Sequence, residues 1–245
     1  MKALLLSSLI LFAFLFSLSQ SVDAQTVTLT KRTVKYTRKK PMGDEKKTFV
    51  INYPEPKGAT PAVAQKIKAQ LNYFKIFDFT LAEELTEMQW LEEADFEVKN
   101  SGSGILSVAI WIEGSGAYPD GVTKYVNINT KAGLKITPAM MFSDQPGLAS
   151  VVAKKMQAAI KEAMKAIRED KENDDLTESE LFGEHKFTVA SLSTFFVTAH
   201  GVTFVYDYGF PHAIQALEPD NEYSMTWAEL RPFIRRDGLL AGFVR

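Results

Sequence analysis

Apolar residues recur along this chain at two spacings, every second position in some blocks and every third or fourth in others, and that difference sorts the blocks into strands and helices. From Thr26 to Tyr36, Val27, Leu29, Val34 and Tyr36 alternate with Thr, Lys and Arg, and Lys46 to Tyr53 resumes the pattern after a loop holding Pro41, Gly43 and Asp44. Both read as strands half exposed to water. From Trp90 the alternation returns: Phe96 and Val98 precede a Gly/Ser turn at Asn100 to Gly104, and Ile105 to Ile112 is a strongly apolar strand. After a loop from Gly114 to Gly121, a third strand carries Tyr125 and Ile128 and ends at the turn Lys131 to Gly133. Three strands joined by short turns predict an antiparallel meander. Thr194 to Ile234 predicts a hairpin, a Pro- and aromatic-bearing crossing segment, a short strand at Tyr223 to Met225 and a capped helix, with Phe204, Tyr206 and Tyr208 on one strand face.

Two long stretches have helical spacing. Pro54 to Pro61 reads as a break, after which Thr60 caps a helix led by Pro61 and running to Phe74, with Val63, Ile67, Leu71 and Phe74 inward. Pro146 to Ile167 places Val152, Met156, Ile160, Ala163 and Ile167 on one stripe, with Lys154, Lys155, Lys161 and Lys165 around it. Thr80 with Glu83, Thr177 with Glu180 and Thr226 with Glu229 are capping boxes, and Pro232 falls in the first turns of the last helix. Thr137-Pro138 opens one apolar turn through Phe142. The predicted fold class is α+β, with the antiparallel strands of the meander and the C-terminal hairpin forming one curved or split sheet packed against two main helices.

Residues 1–24 stand apart. Lys2 precedes an unbroken apolar and Ser run from Ala3 to Leu18, and Val22 and Ala24 are small residues before Gln25. This is the pattern of a secretory signal peptide cut between Ala24 and Gln25; the competing reading is an anchor helix retained in the membrane. The expected localisation is periplasmic or extracellular, and about 220 residues remain to fold. The chain has no cysteine, which excludes a disulfide framework, a thiol nucleophile and a lipidated cysteine. Formal charge is -2, and removing residues 1–24 leaves it unchanged because one base and one acid go with them. Such neutrality gives no face for broad nucleic-acid or membrane-surface binding. Lys31, Arg32, Lys35, Arg38, Lys39, Lys40, Lys46 and Lys47 read as the solvent side of strands near an edge.

No residue pattern nominates a catalyst, a metal or a cofactor. His185, His200 and His212 lack metal-ligand spacing, and His200 before Gly201 reads as a hairpin turn. The acidic run from Arg168 to Glu184 lacks the carboxylate spacing and central Gly of a calcium loop. Glu92 and Glu93 project from opposite strand faces and so cannot flank a glycosidic bond. The candidate ligand-binding residues are aromatic: Tyr118 in the Gly-rich loop, and Tyr206, Tyr208 and His212 around Pro211.

The segments that carry these residues also carry a family likeness. ILSVAIWIEGSGAYPDGVTKYVNINTKAGLKITPAMMF, Ile105 to Phe142, is similar to the central pattern of the DUF3298 family: a Ser-bearing apolar strand, a Gly-Ala loop, a strand closing in Thr-x-x-Gly and a helical turn ending in Phe. Pro211 with Ile214, Tyr223 to Met225 and Trp227-Ala228-Glu229-Leu230 resemble its closing pattern. The first half, 25–130, resembles the DUF4163 family, with 131–245 as the DUF3298-like half of one compact unit. Two positions depart: the family's loop often continues with His where this chain has Tyr118, and the residue after its Pro is usually Tyr where this chain has His212.

The resemblance implies a bacterial envelope protein, as in the extracellular region of a lysozyme-sensing anti-sigma factor or the accessory region of peptidoglycan deacetylases. The expected function is a non-catalytic binding or sensing module whose partner is a lysozyme-like envelope protein or peptidoglycan. The alternatives are an envelope-polymer hydrolase with an unrecognised carboxylate site, and a structural partner of another envelope protein.

Overall fold

A computed structural model describes residues 26–243 apart from 45, 117, 171, 172 and 174. The leader-like segment and its Ala24–Gln25 junction therefore lie outside the described residues. The chain runs β1 (Thr28–Thr37), β2 (Thr48–Lys57), α1 (Pro61–Gln70), α2 (Tyr73–Ile76), α3 (Leu81–Thr86), then β3 (Leu91–Gly102), β4 (Ile105–Ser115), β5 (Pro119–Asn129) and β6 (Leu134–Lys135). There follow α4 (Pro138–Met141), α5 (Gln145–Glu169), α6 (Glu178–Phe182), β7 (Phe195–Val197), β8 (Gly201–Val205), β9 (Glu222–Thr226) and α7 (Trp227–Leu230). The class is α+β, as the spacing predicts.

The strands are split into two sheets. β1 to β6 make a six-stranded sheet in chain order and β7 to β9 a three-stranded antiparallel one. The larger sheet is mixed, because β2 and β3 run parallel at Val50 with Glu93 and Ile51 with Ala94. A parallel pair needs a crossover, and α1 to α3 supply it. The β3–β4–β5 meander is present, and its first turn has Ser103 at φ 50° and Gly104 at φ 80°, the two positive values that match hairpin twist.

Each main helix serves its own sheet. Ile67 of α1 joins Leu106, Val108, Ile110, Val126 and Ile128 in one apolar cluster, while Val152, Met156, Ile160 and Met164 of α5 join Phe195, Phe204, Tyr223 and Met225 in another. Thr60 and the three capping boxes accept the first-turn amides as the sequence predicts, and Asp144 caps α5. At the last of these boxes the Thr226 amide and the Lys155 ammonium hold the Glu229 carboxyl down at about 2.

Three elements end differently from their spacing. The first helix stops at Gln70, because Asn72 caps the separate turn α2. β2 continues through Pro54 and Pro56, which is tolerated because β1 pairs along it while β3 touches it only near Val50. α7 is a single turn closing at Leu230, with Pro232 beyond it.

Two buried polar nodes connect these parts. Thr194, Thr198 and their neighbours bond β7 to β8, which turns the Phe195 carbonyl and the Val197 amide to the other side of the strand. Both residues are buried, and the six-stranded sheet supplies their partners. Asn127 Nδ2 donates to Phe195 O at 2.7 Å, Val197 N donates to Ser107 Oγ at 3.0 Å, and Ser107 Oγ donates to Asn127 Oδ1 at 2.6 Å. The second node is Arg38, which leaves the surface series that the sequence suggests: its side chain is fully buried. Its guanidinium lies 4.5 Å from the Phe49 ring centre and donates to Glu84 O, Lys46 O, Leu91 O and the Glu84 carboxylate at 2.8 to 3.2 Å. Glu84 in turn accepts from Leu91 N at 2.9 Å.

Asn127→Ala leaves the Phe195 carbonyl without its partner and is expected to lower stability by about 1–3 kcal/mol in urea denaturation. Arg38→Met strands the Glu84 charge and should cost about 3–5 kcal/mol. Arg38→Lys should recover little of that, since an ammonium does not reproduce the planar fork that reaches several acceptors at once; wild-type stability in Arg38→Lys would contradict this account.

Candidate functional site

The loop between β4 and β5 is held at its base by charge. Lys46 Nζ, mostly buried, donates to Ser115 O at 2.5 Å and Ser115 Oγ at 2.6 Å and pairs with Glu92 at 3.0 Å, while Ser115 Oγ also bonds Glu92. Those bonds keep the Glu92 carboxyl below its usual range, Ser115 contributing most. Gly114 permits the approach of β3, since a Cβ there would sit 2.1 Å from the Trp90 carbonyl oxygen. Glu93 faces a different partner, Asn52 Nδ2 at 3.2 Å, so the two adjacent carboxylates are not convergent.

At the tip of this loop Tyr118 is 65% exposed, and its ring stacks on His212 with centroids 5.0 Å apart and planes 19° from parallel. His212 opens a short 3-10 turn, His212–Leu217, directly after Pro211. The two sequence positions that depart from the family pattern therefore touch. Where the resemblance has His and then Tyr, this chain has Tyr118 and then His212, and in this chain the two rings form one contact.

Tyr206 and Tyr208 lie elsewhere. β8 ends at Val205, and both residues follow it in the crossing segment rather than on the strand. Tyr208 is buried at 4% exposure, its hydroxyl 2.6 Å from that of Tyr223, and burial raises both hydroxyls above the ordinary phenol range. Tyr206 is half-buried, with its hydroxyl 3.4 Å from His185 Nδ1. His185 packs among Phe182, Tyr206, Tyr208 and Phe210, at 5.3 to 6.4 Å between ring centres. The sequence offered little to place His185 there beyond its position after Phe182 in a short capped helix. Of the four predicted residues the structure brings together Tyr118 and His212 at the surface, and it sets Tyr206 and Tyr208 in an aromatic layer.

Among the described residues no group of three or more His, Asp or Glu is placed to hold a metal ion, and no helix is long and apolar enough to cross a membrane. A recess of about 980 Å³ lies away from the aromatic pair, between Ser143 and the Arg231, Arg235 and Arg236 side chains.

The architecture has counterparts among solved structures. A DUF3298 family protein from Bacteroides fragilis superposes with a TM-score of 0.58 at 15% identity, over 87% of this chain and 95% of that one. The fold is the DUF3298 fold. A second DUF3298 family structure, from Pseudomonas aeruginosa, gives a TM-score of 0.52 at 13% identity over 86% and 96%. No protein-family model and no curated protein matches the sequence. At these identities the DUF3298 likeness is one of architecture and says nothing of the site.

Truncation should separate surface from architecture. Tyr118→Ala is expected to change stability by no more than about 0.5 kcal/mol, as for an exposed side chain. Tyr208→Ala removes a buried ring and should cost about 3–5 kcal/mol. Thermal or urea unfolding of the two variants checks this, and equal losses would show that Tyr118 is a structural residue.

Proposed function

We propose that this protein is an exported, non-catalytic binding or sensing module of the bacterial cell envelope, which recognises a protein or a cell-wall glycan through the Tyr118–His212 surface. The observation that carries this reading is the exposed stack. A flat ring stacked on a second ring offers rigid apolar area with a polar hydroxyl at its rim, the combination that suits a sugar face or a partner's pocket. The His212 ring and the Lys46–Ser115–Glu92 bonds restrain the loop before binding, which lowers the ordering cost of about 0.5–1.5 kcal/mol per immobilised side chain. The leader-like residues 1–24 and the DUF3298-like patterns support an envelope location.

Immobilised protein is expected to retain either a lysozyme-type protein or purified peptidoglycan. Tyr118→Ala should weaken that retention by about tenfold or more, equivalent to about 1.4 kcal/mol, and Tyr118→Phe should largely preserve it. Retention of neither probe, or retention indifferent to Tyr118→Ala, counts against this surface as the recognition site.

A further inference from the structure

The outer edge of β5 is open over most of its length. β6 pairs with it only at Ile128 and Asn129, and the Ile136 amide adds one bond to the Asn127 carbonyl at 2.7 Å. Because every second residue of a ladder points its main-chain groups the same way, Tyr125, Thr123 and Gly121 turn their N–H and C=O to this side too. Among the described residues none of these main-chain groups has a backbone partner there, although the Gly121 N–H donates to Asp120 Oδ1 at 2.7 Å. An unpaired edge of this kind is a template for another extended chain.

A groove of about 640 Å³ lies along this edge, between α2 and β6. Lys75, Lys124 and Lys135 line it, joined by the Ser193 and Thr194 hydroxyls, and no carboxylate is among its lining residues. None of the three ammonium groups has a bonding partner among the described residues. Lys135 pairs with Ile128, and Lys124 is an even number of positions from Ile128, so both project from the face on which α1 and α2 pack. Glu222, 3.5 Å from the Tyr125 hydroxyl, belongs to the opposite face, where Tyr125 stacks on Phe196. A single edge lysine is an ordinary guard against aggregation. Here three lysines from a helix, the edge strand and its short neighbour converge on one groove, which is more than guarding requires.

We infer that the β5 edge binds an extended acidic segment of a partner protein as an added strand. The main-chain groups of Thr123 and Tyr125 and the Gly121 carbonyl would form the ladder, and carboxylates at alternate positions would meet Lys75, Lys124 and Lys135. The alternation follows from the strand period, since only every second side chain of the incoming segment faces the lysines. A second copy of β5 is a poor occupant, because it would bring Lys124 against the same positive groove. This site is separate from the Tyr118–His212 pair, and Tyr118→Ala is expected to leave it unaffected.

The test uses the full chain with a fluorescent synthetic peptide of alternating Glu and Thr, followed by anisotropy. Saturable binding is expected, weakened about tenfold or more by Lys124→Glu and less by Lys124→Gln, with protection of the Thr123 and Tyr125 amides from hydrogen exchange. A peptide of the same charge methylated on alternate amide nitrogens should lose the binding. Absence of saturable binding overturns the inference. Equal binding of the methylated peptide overturns it as well, because attraction of anions alone would then account for the groove, and protection of the same amides by self-association without peptide would make a second copy the occupant.

Discussion

The three-stranded sheet has an edge that cannot be left alone. Phe195 and Val197 sit in the interior with main-chain groups pointing away from β8, and a buried carbonyl or amide without a partner costs about as much as one strong hydrogen bond contributes. The solution is two side chains from the neighbouring sheet: Asn127 supplies the donor and Ser107 the acceptor, and each also satisfies the other. This bond set fixes where β7 crosses β4 and β5, and with it the position of everything that follows β7. The segment leaving β8 then passes the far end of the same strand pair, where His212 meets Tyr118.

The first sheet is tied by a different chemistry with a similar logic. Arg38 sits at the end of β1, the strand that closes one edge, and a buried guanidinium is tolerable only if its donors are all answered. Glu84 and three carbonyls accept four bonds that draw on each of its three nitrogens, and those carbonyls belong to the β1–β2 loop, α3 and the start of β3. One cation therefore joins the crossover helices to the strand that begins the meander. Eight residues on, Lys46 does the same at the rim, bonding the end of β4 and setting the loop that carries Tyr118. A recognition surface made of one loop tip and one turn is precise only because the bases of both are anchored in this way.

Much of the fold was readable because its signals are local. Thr-Pro starts, capping boxes and the Ser103-Gly104 turn depend on neighbours within four residues: Thr60 and the three boxes cap their helices and the turn has the positive φ values it needs, while Thr137 opens its helical turn without a side-chain cap bond. The apolar stripe of α5 likewise predicted Val152, Met156, Ile160 and Ile167 as inward, whereas β4 is an apolar run buried on both faces. The parallel β2–β3 pair left no such mark, since its two strands are separated by three helices and share only two register positions. The site was legible in part. The departures at Tyr118 and His212 were visible as two separate oddities, and nothing in their sequence separation shows that they are one contact. Tyr208 is the converse case: alternation could not tell an exposed aromatic strand face from a layer folded under Phe182 and His185.

By itself the sequence determined the element types, most of their boundaries, the α+β class and the absence of thiol chemistry, because periodicity, caps and composition are properties of short windows. Only the tertiary structure decided that the strands divide into two sheets, that Arg38 is an interior residue and that Tyr118 pairs with His212. Each of those outcomes depends on a buried polar group finding its partner across tens of residues, and on rings brought together by the same long-range packing. The Tyr118–His212 stack is the clearest product of that dependence: its two residues are set in place by bonds at Ser107, Asn127 and Lys46, none of which touches either ring.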